Sequence, residues 1–162
     1  HAKKKRPCYV IGVGEEFLPE WISEVEHVDD AKNGGIVLVD EGAISFSSRE
    51  SMKTANKDLG KLLAIARHKG LTLLFITQNT GMIDKNVLNL TDVIIAKEGS
   101  LLQKKMERPV VRDFVSKADT AIKAMSKPER VAHSYIFSDD YEGLVRVSLP
   151  TFWNEDISKN QR

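Results

Sequence analysis

The amino-acid sequence predicts an α/β fold built around a mainly parallel sheet. Two observations predict it: short apolar runs without polar alternation recur along the chain, and a stretch with helical spacing separates two of them. Such runs are typical of strands that are covered on both faces. They comprise residues 8–11, 36–39, 71–77 and 93–96. With 162 residues, 41% of them hydrophobic and 29% charged, the chain is expected to form a single domain over residues 1–162.

The stretch between the second and third runs has the pattern of an amphipathic helix. Its apolar residues recur at intervals of three and four, which places them on one face. They are Met52, Ala55, Leu59, Leu62, Leu63 and Ala66. Cations fill the last turn, Arg67 to Lys69, and Gly70 follows as a natural C-cap.

The C-terminal part predicts more helix and then a hairpin. Residues 101–125 have the pattern of one or two helices, interrupted at Pro109 because the proline ring removes a backbone donor and clashes with the preceding turn. Further on, residues 133–137 and 144–149 flank the turn-rich segment Ser-Asp-Asp-Tyr-Glu-Gly. This arrangement predicts an antiparallel hairpin, within residues 130–150, at the edge of the sheet.

The composition indicates where the protein is located more than what it does. A formal net charge of +1 gives no global indication of a nucleic-acid or membrane partner. Cys8 is the only cysteine, which excludes an internal disulfide and fits a reducing compartment. No apolar run approaches the length of a membrane span. A cytoplasmic location is therefore expected, with no membrane contact in this segment.

Two carboxylates, Asp40 and Glu41, directly follow the second apolar run. Ligands of open parallel sheets lie beyond the carboxyl ends of the strands, and a strand buried on both faces is a rigid mount. A pair of carboxylates there can hold a hydrated Mg²⁺ and orient a water molecule, as phosphoryl transfer requires. The alternative is that both residues are solvated and cap the next turn or helix.

A second polar strand end follows the third apolar run, where Thr77 leads into Gln78 and Asn79. A side-chain amide at this position can contact a γ-phosphate or its attacking water. The alternative, that both residues simply begin a loop, suits Asn79 better than Gln78.

Three segments resemble the HerA/FtsK group of P-loop ATPases, which pump DNA and include viral packaging ATPases and zonular occludens toxin-like phage assembly proteins. "IVLVDEG" resembles their Walker B strand, "ARHKGLTLLFITQN" their helix-to-sensor segment, and "IDKNVLNLTDVIIAK" the stretch that leads into their last core strand. The resemblance spans roughly residues 8 to 98, and the order and spacing of the segments support it more than any one of them.

The resemblance implies a role for each candidate residue. Asp40 would be the Mg²⁺-associated aspartate and Glu41 the catalytic glutamate. Gln78 would be the polar sensor that contacts the nucleotide. Arg67 would be an arginine finger directed at the nucleotide of a neighbouring subunit, although cations in a last helical turn are also favoured by the macrodipole alone.

The same resemblance implies ATP and Mg²⁺ as cofactors and a homo-oligomeric ring with DNA as its partner. Lys85 and Asn86 would line the pore of such a ring.

Two basic clusters could contact phosphates, or could be solvated helix faces. They are Lys3–Arg6 and the group Lys104, Lys105, Arg108 and Arg112. By contrast, His27, His133 and Cys8 show no metal-ligand spacing, and His133 is expected at the start of a strand.

The sequence departs from the family at its phosphate loop. No G-x-x-x-x-G-K-[ST] occurs: Gly12-Val13-Gly14 continues into Glu15, and Gly60-Lys61 precedes a leucine within a helix. The chain opens on His1, so we expect truncation before it, with the first strand and phosphate loop missing. That strand lies between the sensor strand and the last core strand in these ATPases. A direct ladder between residues 71–77 and 93–96 would therefore contradict the topology.

The predicted fold is thus a three-layer, P-loop NTPase-type sheet that lacks its first strand and phosphate loop. The predicted function is an ATP-hydrolysing motor domain for DNA translocation or packaging, located in the cytoplasm or associated with a virus inside its host cell. The chain by itself is expected to be inactive. Two alternatives stay open: a zonular occludens toxin-like ATPase for phage assembly or extrusion, and a non-catalytic ring subunit or DNA-binding module.

Overall fold

The computed structural model describes residues 6–14, 18–40, 52–78, 88–99 and 109–148, and for residues 52–60 and 110 it describes the backbone alone. The described chain divides into two compact units, the first ending at Gln78 and the second beginning after it. The prediction of one domain over the whole chain stays a prediction, and each unit is described by itself.

The first unit contains a four-stranded, wholly parallel sheet. Its strands are β1 (Cys8–Ile11), β2 (Ile22–Glu24), β3 (Ile36–Val39) and β4 (Thr72–Phe75), in the order β2-β1-β3-β4. The parallel sheet predicted from the apolar runs is confirmed. Strand β2 was not predicted, because three residues with two exposed side chains leave no apolar run in the sequence.

One face of this sheet carries the core of the unit. Tyr9 of β1 and Val37 and Val39 of β3 are buried there, together with Val28 and Ala31 from the segment between β2 and β3. Helix α1 (Met52–Lys69) covers this face with Leu62 and Ile65. Its C-terminus is where the sequence predicted it, and Gly70 follows with a φ of 62°, a left-handed conformation that favours glycine.

The other face is less covered than the sequence predicted. Val10 on β1 is 2% exposed, whereas Leu74 on β4 is 44% exposed and Ile76, just after β4, is 48% exposed. The prediction that the third run is covered on both faces is therefore wrong for these two side chains. An apolar run shows that a strand suits burial, but its neighbours in the fold decide how much of it is buried.

Two cations fasten the amino ends of the strands. The Arg6 guanidinium donates to the carbonyl oxygens of Gly34 and Gly35 at 2.6 and 2.7 Å and to the Thr72 hydroxyl at 2.9 Å. The Lys69 ammonium donates to the carbonyl oxygen of Ala31 at 3.0 Å and to that of Asp29. Arg6 thus joins the starts of β3 and β4, and Lys69 joins the end of α1 to the segment between β2 and β3.

The second unit contains a three-stranded antiparallel sheet. Its strands are β5 (Val93–Ala96), β6 (His133–Ser138) and β7 (Glu142–Arg146), in the order β5-β6-β7. The C-terminal hairpin is therefore confirmed as β6–β7, but it pairs with β5 and not with the edge of the four-stranded parallel sheet, where the sequence placed it. Strand β5, which the sequence grouped with the parallel strands, pairs antiparallel with β6, and its Val93 and Ile95 are exposed.

Two helices accompany this sheet, α2 (Pro109–Lys123) and α3 (Lys127–Ala132). Pro109 is the first residue of α2, a position where a missing N–H costs nothing. Phe114 packs α2 onto β6, with ring centroids 5.4 Å from Phe137 and 6.0 Å from Tyr135. The rest of the prediction for residues 101–125 falls largely on residues 101–108, outside the described residues.

The strand order also tests the expected topology. Among the described strands, β4 pairs with β3 and β5 pairs with β6, so the two strands belong to different sheets. The direct ladder that would have contradicted the truncated ATPase topology does not occur between these strands. Within the residues that the structure describes, no helix is long and apolar enough to cross a membrane.

Candidate functional site

The carboxyl edge of the parallel sheet places Asp40 between two strand ends. Asp40 directly follows β3, its backbone N–H points to the carbonyl oxygen of Ile11 at 3.4 Å, and the N–H of Ile76 donates to Val39 at 3.0 Å. The backbone around Asp40 is thus held on both sides by the ends of β1 and β4. The side chain of Asp40 is half-buried. Val37 and Val39 of the preceding strand are buried, so that strand holds Asp40 in a fixed position.

A glycine-rich turn lies beside Asp40 at the end of β1. Because Ile11 is the partner of Val39 in the register, Gly12 is level with Asp40. Gly12 has a φ of 90°, in the left-handed region that residues with a Cβ rarely adopt. The turn Gly12-Val13-Gly14 therefore needs a glycine at position 12 for its conformation.

Gln78 lies at the same edge of the sheet. It follows the last residue of β4, Phe75, by three positions, and its side chain is exposed. Since Phe75 pairs with Val39, the chain after β4 leaves the sheet next to Asp40. The two predicted strand tips thus meet at one edge, which brings a carboxylate and an amide to the place where open parallel sheets bind their ligands.

Arg67 lies at the opposite edge. Its carbonyl accepts a hydrogen bond of 3.2 Å from the N–H of Gly70, and the N–H of Thr72 donates to Gly35 at 3.0 Å, so the end of α1 adjoins the amino ends of β3 and β4. Asp40 is four residues beyond Ile36, roughly 13 Å along the strand. The side chain of Arg67 is exposed. Arg67 is therefore separated from Asp40 within one subunit and faces outward.

The residues present are compatible with Mg²⁺, although they do not form a closed metal site. In the described parts of the chain, no group of three His, Cys, Asp or Glu side chains is placed to hold a metal. Mg²⁺ commonly takes one or two protein carboxylates and completes its shell with water and substrate phosphates. Asp40, a half-buried oxygen donor at a strand end, fits the role of one such ligand.

Several predicted residues fall outside the described part of the chain. These are Glu41, Asn79, Lys85, Asn86 and the cluster members Lys3–Lys5, Lys104, Lys105 and Arg108. His133 is the first residue of β6, as predicted, and its Nδ1 lies 2.6 Å from the carbonyl oxygen of Glu129.

A comparison with models of protein families shows which family this chain belongs to. The family model described as "Zonular occludens toxin (Zot)" matches residues 4–134, most of the chain. The chain belongs to the Zot family. The matched region includes Asp40, Arg67 and Gln78, and it ends at the second residue of β6. A search of curated proteins finds no match.

A solved structure supports the fold of this Zot protein. The genome packaging NTPase B204 from Sulfolobus turreted icosahedral virus 2, in complex with ATP-gammaS, aligns with a TM-score of 0.51 at 12% identity. The alignment covers 88% of this chain and 83% of that one. At such low identity the likeness concerns the fold alone. It confirms the P-loop NTPase-type fold, and the family match confirms the resemblance to zonular occludens toxin-like proteins.

Proposed function

We propose that this Zot protein is the hydrolytic part of an ATP-driven phage assembly or packaging machine. One observation carries the proposal: Asp40, on a strand with a buried face, lies at the carboxyl edge of a parallel sheet between the glycine turn after β1 and the chain that leads to Gln78. The similar packaging NTPase was solved with ATP-gammaS, which supports a nucleotide as the ligand of this fold.

The residues at this edge have separate tasks in the proposed reaction. Bound Mg²⁺ would neutralise charge on the β- and γ-phosphates of ATP. Asp40 would contribute an oxygen ligand to that ion, and Gln78 would offer an amide that hydrogen-bonds the γ-phosphate or the attacking water. Glu41, the next residue in the sequence, accepts the proton of that water, so that ATP and water yield ADP and phosphate.

Arg67 is proposed to act on a neighbouring subunit. Because it lies at the amino edge of its own sheet, its side chain is far from its own Asp40 and exposed to a partner. An arginine donated by a neighbour stabilises the charge that develops during phosphoryl transfer. This role requires the homo-oligomeric ring that the sequence suggested, and it makes hydrolysis depend on assembly.

The proposal also includes the cargo that hydrolysis would move. Membership of the Zot family favours the phage assembly or extrusion alternative. The similar solved structure is described as a genome packaging NTPase, which favours DNA as the cargo. We propose DNA as the cargo, because the similar NTPase is described as packaging a genome. A non-catalytic ring subunit remains the competing function.

The experiment is an ATPase assay on the protein expressed from its complete gene, because the 162 residues contain no G-x-x-x-x-G-K-[ST] loop. Mg²⁺-dependent phosphate release is expected, and Glu41→Gln should reduce it by about 100-fold or more while nucleotide binding survives. Asp40→Asn should raise the Mg²⁺ concentration needed for half-maximal phosphate release, because an amide binds the ion more weakly than a carboxylate. Lys127→Gln, at an exposed position in α3, is the control.

Two results would overturn the proposal. The first is undiminished turnover in Glu41→Gln. The second is a complete protein that neither binds nor hydrolyses ATP, which would leave the non-catalytic subunit as the better explanation.

A further inference from the structure

Lys69 holds the last turn of α1, the turn that also carries Arg67. Its ammonium donates to the carbonyl oxygen of Ala31 at 3.0 Å and to that of Asp29. Its own carbonyl oxygen accepts a hydrogen bond of 2.8 Å from the N–H of Gly34. Lys69 is thus bonded at both ends of its own structure, side chain and backbone, to the segment that leads into β3.

The segment that Lys69 contacts is itself well anchored. Val28 and Ala31 are buried and belong to the core of the first unit. Gly35 is also buried, and a Cβ at this position would lie 3.0 Å from a ring carbon of Tyr9, so the backbone there is closely packed. Closely packed segments have little room to move, which makes this one a fixed support for the end of α1.

The last turn of a helix frays unless it is held, because its carbonyl groups have no partners within the helix. The N–H of Gly70 donates to Arg67 at 3.2 Å, and that of Leu71 donates to Ala66 at 2.8 Å. These bonds close the turn on itself, whereas the bonds of Lys69 join it to the support. The side chain of Arg67 is exposed, so its direction depends on the backbone that carries it.

We propose that Lys69 is a positioning residue for Arg67: it fixes the last turn of α1, so that the guanidinium reaches the neighbour's nucleotide in the orientation that phosphoryl transfer needs. The inference rests on the proposed function, in which Arg67 completes the site of another subunit. A displacement of about 1 Å at a reacting group can lower a rate by about 100-fold. A cation that only neutralised the helix C-terminus would need no defined acceptors outside the helix, whereas Lys69 has two.

The test uses mixed rings of the complete protein, in which each subunit type can supply only one of the two groups. A Glu41→Gln subunit keeps Arg67 and is the finger donor, and an Arg67→Ala subunit keeps Glu41 and is the site donor. Hydrolysis by their mixture measures Arg67 of the finger donor acting on the site donor. Lys69→Met in the finger donor should lower this rate about tenfold or more, whereas Lys69→Met in the site donor should leave it almost unchanged.

Two further variants separate positioning from a general loss of stability. Lys69→Arg can still donate to two carbonyl oxygens, so in the finger donor it should retain most of the rate. Arg6→Ala is the matched control, because it removes hydrogen bonds of a charged donor at the same edge of the sheet that do not involve α1. Its effect should be the same in either subunit type. Urea denaturation verifies folding, and Lys69→Gln replaces Lys69→Met if that variant is unfolded.

A second measurement does not depend on hydrolysis. The amides of Gly70 and Leu71, which bond to the last turn of α1, should exchange hydrogen about tenfold or more faster in Lys69→Met, whereas the amide of Ile76 at the carboxyl edge should not. Unchanged exchange overturns the role of Lys69, and so does an equal loss of rate in both subunit types. If the mixture without Lys69→Met recovers no hydrolysis, the action of Arg67 in trans is wrong and this inference fails with it, so the two failures are distinguishable.

Discussion

Arg6 donates a hydrogen bond of 2.9 Å to the hydroxyl of Thr72, 66 positions further along the chain. The same guanidinium donates to the carbonyl oxygens of Gly34 and Gly35. The group that precedes β1 thus joins the amino ends of β3 and β4. Because the strands are parallel, fixing their amino ends also helps to set where their carboxyl ends, and therefore Asp40 and Gln78, come to lie.

The first prediction concerns this contact. Arg6→Ala should lower the free energy of unfolding by about 1–3 kcal/mol, because hydrogen bonds from a charged donor to three acceptors are lost. Arg6→Lys should recover only part of the loss, since an ammonium does not have the planar fork that spans these oxygens. Urea denaturation measures both variants. Arg146→Ala, at an exposed position, should stay within about 0.5 kcal/mol of wild type, and an equal loss there would contradict a specific role for Arg6.

The sequence predicted the parallel strands well, for a physical reason. Residues 36–39 and 8–11 contain only apolar side chains and one tyrosine, so burial on a sheet is the favourable outcome for them. The location of the candidate site could be predicted from the same pattern, because polar residues that come directly after such a strand lie at its carboxyl end. Asp40 and Gln78 are therefore found at one edge of the sheet, as predicted, while their chemical roles stay predictions.

Other features depend on partners that a local pattern does not contain. The direction of β5 is set by its pairing with β6, about 40 residues away, and the apolar run of β5 is equally suited to either direction. The bonds of Arg6 likewise join residues far apart in sequence, so its basic cluster gave no indication of them.

The second prediction concerns the packing of α2 on β6. Phe114 is buried and contacts both Phe137 and Tyr135, so Phe114→Ala should cost about 3–4 kcal/mol of stability, whereas Phe114→Leu should cost much less. Val131→Ala is the control, because Val131 is 75% exposed. Hydrogen exchange measured on the β6–β7 hairpin should show faster exchange in Phe114→Ala. Unchanged exchange would show that α2 does not stabilise the hairpin.

The third prediction is a dependence on pH at the hairpin. The Tyr135 hydroxyl donates to Glu142 at 2.8 Å and Lys117 lies 3.2 Å from the same oxygen, and these contacts, the tyrosine first, lower the pKa of Glu142. A carboxyl with a lowered pKa in the folded state contributes stability that is present above its unfolded pKa and is lost as pH falls through the folded value.

The measurement compares wild type with Glu142→Gln during acid titration of the unfolding free energy. Wild type should lose more stability than the variant between about pH 6 and about pH 3. Glu129, whose pKa is lowered mainly by a hydrogen bond from the Ser126 side chain, contributes equally to both proteins, so the difference isolates Glu142. The hydrogen bond to Glu142 raises the pKa of Tyr135, so this contact should persist until pH rises through that raised value. Identical acid profiles would contradict the assignment.

The last prediction tests the proposed role of Arg67 across subunits. Arg67 lies in the last turn of α1 at the amino edge of the sheet, whereas Asp40 is at the carboxyl edge and Glu41 is the next residue in the sequence. Arg67→Ala should therefore lower turnover in the assembled complete protein and leave folding and nucleotide affinity almost unchanged. Arg146→Ala is the matched control and should retain wild-type turnover.

A mixture of Arg67→Ala and Glu41→Gln subunits distinguishes action in trans from action within one chain. In a randomly mixed ring, about a quarter of the interfaces join an intact Glu41 on one subunit to an intact Arg67 on the next, so hydrolysis should recover towards that fraction of the wild-type rate. Mass spectrometry of the intact oligomers verifies that the subunits have mixed. If verified mixed rings hydrolyse ATP no faster than the two parents, Arg67 does not complete a neighbour's site, and its charge serves only the C-terminal end of α1.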